Sequence, residues 1–200
     1  MLKLLDKNKV PLYGLRAYKD LCIERVLELD DRTLSFSVPY RNVRGYVYNV
    51  RSVLELEGYI ETREDRYVVK EIRKSTDGMA KVVAQLDMES LEGKVFRVFK
   101  SEEQPIGKAL QLVFAGTGWT VGVCSVTKKR TLSMSNVSAL EVLKQALKTY
   151  RCEIKVHSKT QVIDVYGQIG EDRGAYFSSQ LNLRKLDVQS TSYDFYTEIE

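Results

Sequence analysis

The sequence predicts an α+β protein in which a mainly antiparallel β block is followed by a small α+β block and then by further strands. Three observations carry this. The stretch TLSFSVPY alternates Leu34, Phe36 and Val38 with Thr33, Ser35 and Ser37, the two-residue period of a strand with one buried face. Two later segments repeat apolar residues at helical spacing, each bounded by residues that start or stop helices. Most of the remainder up to about Lys100 is β-prone and punctuated by polar turns.

Taken in order, Pro39 ends the first of these strands or marks it as an edge. Val53 to Glu61 and Tyr67 to Lys74 read as two strands of a hairpin joined by the polar TRED. MAKVVAQLDM gives another strand through Val82, Val83 and Leu86, and ESLEGKVF a short helical turn stopped by Gly93. At Ser101 the pattern changes. Pro105 suits a first helical position, Ile106, Ala109, Leu110, Val113 and Phe114 form an apolar stripe, and Gly116 sits where a left-handed cap belongs. GWTVGVCSV follows as a strand, and TKKRTLSM as a turn leading into a second one. Ser138 and Glu141 have capping-box spacing before a helix whose face is Leu140, Leu143, Leu147 and Tyr150. CEIKV and VIDVYG then form a hairpin across HSKTQ. GEDRG reads as a charged turn and AYFSS as a strand, and Leu181, Leu183, Leu186, Tyr193, Phe195 and Tyr196 mark a last β-prone run.

Composition narrows the classes. A 200-residue chain that is 44% hydrophobic can bury a core, and no apolar run approaches the ~20 residues of a membrane span. The amino terminus reaches Asp6 too soon for a signal peptide, so a soluble intracellular product is expected at synthesis. Cys22, Cys124 and Cys152 are odd in number and flanked by apolar residues, which fits reduced core side chains. The net charge of +4 arises from 31 basic and 27 acidic residues mixed along the whole chain, weak support for a polyanion partner. Twelve tyrosines against six phenylalanines fit a protein with wet interfaces.

No catalytic constellation emerges. AGTGWTVG, Ala115 to Gly122, lacks the Lys-Ser/Thr of a phosphate loop and follows a helix instead of opening one, so the helix's negative end would face any phosphate. It reads as a helix stop and strand entry, with Trp119 a core anchor whose indole N–H needs a partner. His157 is the only histidine, at a turn, and lacks the spaced partners of a zinc site. Glu171 and Asp172 lie in a glycine-bounded turn. An enzyme reading, as a cell-wall peptidase, would have to act through Glu171, Asp172 or His157. A nucleic-acid or receptor-binding reading would use Lys128, Lys129 and Arg130 of the TKKRT hairpin. No catalytic, cofactor-binding or metal-binding residue is assigned, and no cofactor is expected.

YVVKEIRKS, DGMAKVVAQLDMESLEGKVF, ALQLVFAGTGWTVG and GEDRGAYFSSQLNLRKLDVQSTSYDFYTEIE, in that order and spacing, resemble the N-terminal region of the prophage endopeptidase tail family. These are minor structural, tail-associated proteins of phages and prophages of Gram-positive bacteria. The similarity runs from about Val50 to the end. It implies a baseplate-hub-like fold: a tube-type β-barrel domain, residues 1–100 plus 175–200, interrupted by an α+β insertion at 101–174. It further implies a homotrimeric ring at the virion tail tip, assembled in the host cytoplasm below the distal tail protein. That ring would contact tube and tape-measure proteins and pass DNA transiently through its lumen. Lysin modules, where present, follow the hub region, so this chain is expected to lack them and not to be an enzyme. Scattered charges suit a lumen through which DNA slides, because each fixed cation adds to phosphate binding.

Overall fold

The computed structural model describes residues 2–26, 29–39 and 54–170. Among the described residues, seven strands form one antiparallel sheet: β1 (Leu2–Leu5), β2 (Pro11–Leu15), β3 (Lys19–Val26), β4 (Asp31–Pro39), β5 (Tyr59–Glu61), β6 (Arg66–Lys74) and β7 (Met79–Leu86), in the order β2-β1-β5-β6-β7-β4-β3. The sheet curls into a half-barrel, the α+β, mainly antiparallel class read from the sequence. Its inner face follows from the period-2 pattern. Leu34, Phe36 and Val38 are buried and lie opposite Ala84, Val82 and Ala80, so small residues on β7 accept the larger ones of β4. Tyr67 and Val69 of β6, Ile60 of β5 and Leu2 and Leu4 of β1 continue this layer.

The TRED turn closes the β5–β6 hairpin as expected, with the Thr62 N–H donating to the Asp65 carbonyl. The preceding strand is much shorter than the run 53–61. Leu54 to Gly58 is a loop and turn, with Glu57 at φ 63°. The turn is fastened to β6 in another way: the Glu57 N–H donates to the Val69 carbonyl and the Val69 N–H to the Gly58 carbonyl.

The one-turn helix α1 (Glu89–Glu92) ends at Gly93 and leads into β8 (Val95–Pro105), which runs straight through Ser101. Helix α2 (Ile106–Phe114) begins one residue later than the sequence suggests. Pro105 is its extended N-cap (φ −66°, ψ 150°), because the ring's fixed φ also serves the end of a strand. All five apolar stripe residues of α2 are buried. At its far end the Lys94 ammonium donates to the carbonyls of Val113 and Ala115, a cation on the helix's negative pole.

β9 (Thr120–Cys124), β10 (Lys129–Ser138), α3 (Ala139–Tyr150), β11 (Glu153–His157) and β12 (Val162–Tyr166) complete the unit. The Ser138–Glu141 capping box is formed in both directions. The buried face of α3 holds Leu143, Leu147 and Tyr150 as expected, joined by Val142 and Ala146, whereas Leu140 is only partly covered. The β11–β12 hairpin is present, and β9 adds to β12 in parallel. TKKRT is not a hairpin. β9 belongs to the three-stranded sheet and β10 pairs with β8, so Thr127 and Lys128 connect two sheets while Lys129 and Arg130 open β10 beside Pro105 and Gln104.

A buried ionic joint ties the large sheet to β11. Arg32, on β4, spans Asp30 and Asp65 and donates to the Val156 carbonyl, while the Val156 N–H donates to Asp30 at 2.7 Å. Ser158 donates to Asp65 and accepts from the Arg66 N–H. Burial works against the Arg32 charge, but the two carboxylates outweigh it and hold the guanidinium more firmly protonated.

Candidate functional site

The octapeptide AGTGWTVG holds three glycines, with two different reasons to be glycine. Gly116 and Gly118 have φ of +76° and +85°, the left-handed region, and turn the chain out of α2. Gly122 has ordinary backbone but no room: a Cβ there would stand 2.2 Å from Asp164 Oδ1 and 2.7 Å from Val162 Cγ1. The Asp164 carboxylate crosses from β12 onto β9 and accepts the Val123 N–H at 2.7 Å. The β12–β9 register shifts between Ile163 and Val165, so the side chain supplies a bond where the ladder is irregular. Trp119 is buried, as expected of an anchor, and its indole N–H donates to Ser90 Oγ at 2.9 Å. The segment is a joint between α2, β9 and α1.

His157 ends β11 with its ring half exposed, and its Nε2 lies 3.0 Å from Asp164 Oδ2. Burial pushes the Asp164 carboxyl upward, but the Val123 N–H, His157 and the Tyr166 hydroxyl outweigh it and hold the carboxyl below the usual range. This pair does work within the fold. Sequence reasoning missed Asp164, whose only signal was its outward position in VIDVY. Glu171 and Asp172, like the strands expected after Ala175, lie outside the described residues. Among the described residues, no group of three His, Cys, Asp or Glu side chains could hold a metal ion, and no helix is long and apolar enough to cross a membrane.

Of the three cysteines only Cys152 is a core residue. Cys22 and Cys124 are exposed: every residue of β3 is exposed, and Cys124 is the last residue of β9. The tyrosines also divide differently from expectation. Of those described, Tyr59, Tyr67 and Tyr150 are buried, and Tyr13 alone is exposed.

The surface best suited to assembly is the pair of sheet edges. All eight residues of β3 are exposed, and Ile23 lies directly opposite the fully buried Leu34, on the core-facing side of the sheet. Leu21 and Ile23 thus continue the apolar layer past the point where anything covers it. On the other edge, β2 exposes Leu12 and Tyr13. Among the described residues neither β2 nor β3 pairs with a further strand, and an edge with apolar side chains is a template for one.

Residues 97–165 match the sequence model of the prophage endopeptidase tail domain, a shorter span than the resemblance read from about Val50 onward. No curated protein matches the chain by sequence. Solved structures share its fold. Prophage tail protein gp18 from Listeria monocytogenes EGD-e is 14% identical with a TM-score of 0.67, over 82% of this chain and 49% of that one. The prophage MuSo2 43 kDa tail protein from Shewanella oneidensis is 11% identical with a TM-score of 0.55, over 82% and 53%. A tail protein from Neisseria meningitidis MC58 is 7% identical with a TM-score of 0.54, over 82% and 49%. The chain therefore spans about half the length of the tail proteins whose fold it shares. The resemblance read from the sequence holds: this chain is similar to prophage endopeptidase tail proteins, with the family's signature in residues 97–165.

Proposed function

We propose that this chain is a structural protein of a phage tail tip, a baseplate hub that assembles as a homotrimeric ring below the distal tail protein and continues the tail tube for DNA passage. The observation that carries this reading is the family match at residues 97–165 within a fold shared with prophage tail proteins. The exposed edges β2 and β3 support it, since a half-barrel with two apolar edges gains by pairing them with neighbours. In this reading residues 175–200 return to the large sheet at one of these two edges, leaving the other for a neighbouring copy, and residues 101–174 form the insertion.

The role is non-enzymatic, with the protein working through contact surfaces toward its own copies, the distal tail protein, and tube and tape-measure proteins. His157 is engaged with Asp164 in holding β11, β12 and β9 together, which favours a structural part for it. The mass of the natural full-length product, measured by light scattering at high concentration, tests the ring. Three subunits are expected, and a strictly monomeric protein would overturn it. Peptidoglycan cleavage by this chain that is lost in His157→Ala would overturn the non-enzymatic reading.

A further inference from the structure

A cleft of about 590 Å³ opens between β8 and α2, within the range of ligand-binding clefts. On one side stand residues 100–102 and Gln104 of β8, on the other Lys108, Gln111 and Leu112 of α2. Consecutive residues of a strand point to opposite faces, so a run of three that borders the cleft presents the strand's edge. No residue of β10 lines it, which places the cleft on the side of β8 turned away from β10. Among the described residues β8 pairs with no other strand, so this edge is open.

The edge has a defined end. Leu132 lies opposite Ser101 but Arg130 opposite Gln104, so β8 carries one extra residue. In that bulge Glu103 sits at φ 46° and donates its N–H to Thr131 Oγ1 at 3.2 Å. Pro105 follows, with no N–H to give. A strand added to β8 therefore stops at the cleft, and upstream it meets the exposed Val95 and Val98.

Polar groups of the cleft lack partners. Ser101 is only 4% exposed, yet its hydroxyl makes no hydrogen bond, a rare condition for a buried polar group. Lys100 pairs with Glu102. Among the described residues Lys108 has no carboxylate partner, and the side-chain amides of Gln104 and Gln111 make no hydrogen bond. With two cations and one carboxylate, the lining keeps one unneutralised positive charge, on Lys108.

We propose that this cleft docks an extended acidic peptide segment of a partner protein, which adds as a third strand to the open edge of β8 and sets a carboxylate against Lys108. An open edge offers N–H and C=O groups in a regular row, which a polypeptide matches and a phosphate or sugar chain does not. Gln104 and Gln111 supply further bonds to the peptide's amides, and the exposed Leu112 covers an aliphatic side chain. The bulge and Pro105 fix the register by ending the pairing. This docking does not depend on the ring and is tested without it.

The test is amide NMR of this chain titrated with acetyl-Thr-Val-Glu-Val-Thr-amide up to ~5 mM, which registers millimolar affinity. Five residues cover about 17 Å of strand, the reach of residues 100–104. The expected shifts fall on residues 95–104 and 108–112. A peptide with Lys in place of Glu binds roughly two- to fivefold more weakly, the size of one exposed ion pair. Lys108→Glu reverses that preference, which a folding defect would not do, while Lys81→Glu on the large sheet leaves it unchanged. N-methylation of the peptide's edge-facing amides weakens binding about tenfold or more, since it removes main-chain bonds. Ser101→Ala leaves Tm unchanged or raised, because the hydroxyl bonds nothing in the free chain, and weakens the peptide about fivefold. Absence of shifts, shifts centred elsewhere, or binding that survives N-methylation overturns the proposal. The parent's preference persisting in Lys108→Glu, or full affinity in Ser101→Ala, overturns it as well.

Discussion

Replacing Gly122 by alanine isolates one contact that the fold depends on. The new Cβ would lie 2.2 Å from Asp164 Oδ1, so the carboxylate has to leave its place over β9. Two bonds go with it, the 2.7 Å bond from the Val123 N–H and the 3.0 Å contact with His157. A hydrogen bond to a charged group contributes about 1.5–3 kcal/mol, and removing a strand glycine returns about 0.5–1 kcal/mol of chain entropy. The Val123 N–H is left near solvent, which keeps the loss at the lower end. Net destabilisation is about 1–2 kcal/mol, or roughly 3–6 °C in Tm for a chain of this size.

The assay is thermal and urea unfolding of four proteins: the parent, Gly122→Ala, Asp164→Ala and the double variant. With Asp164 already truncated the clash with its carboxylate is gone, and the same alanine becomes neutral or mildly stabilising once Val162 changes rotamer. pH supplies a second axis. A carboxyl whose folded pKa lies below its unfolded value contributes stability above the unfolded pKa and loses it as pH falls through the folded one. The cost of Gly122→Ala therefore fades in acid. Equal destabilisation in both backgrounds would refute the argument that Asp164 is why residue 122 is glycine.

Three further outcomes follow from buried groups. Trp119→Phe keeps the packing but strands Ser90 Oγ, costing about 0.5–1.5 kcal/mol, and pairing it with Ser90→Ala in a double-mutant cycle should recover that coupling. Arg32→Gln leaves the buried Asp65 without its cation, while Asp30 keeps Arg25 and the Val156 N–H, and should destabilise by about 3 kcal/mol in urea unfolding, since an unpaired buried charge costs more than the pair gained. With a disulfide-exchange reagent at mild alkaline pH, the exposed Cys22 and Cys124 should react in the native protein and Cys152 only after unfolding, because burial pushes its thiol up to about 11.

Legibility in the sequence tracked how local the cause was. Alternation in β4, the stripe of α2 and the Ser138–Glu141 box depend on residues within one or two turns of each other, and all three formed as read. The errors came where a distant segment decides. Leu54 to Gly58 has strand-like composition, yet tertiary bonds to Val69 hold it as a turn. TKKRT read as a hairpin because its neighbours are strands, and only the pairing of β9 with β12 and β10 with β8 separates them. Gly122 could be recognised as punctuation, but its reason is a carboxylate 42 residues further on. Cys22 looked like a core residue because LCI is apolar, and nothing local reveals that every residue of β3 is exposed.

Electron cryomicroscopy of intact tails tests the tail-tip assignment most directly. The account predicts three copies of this protein in one ring at the tip, below the distal tail protein, with an edge of the large sheet, β2 or β3, at the contacts between copies. Copies distributed along the tail shaft, or no copies in purified particles, would contradict it.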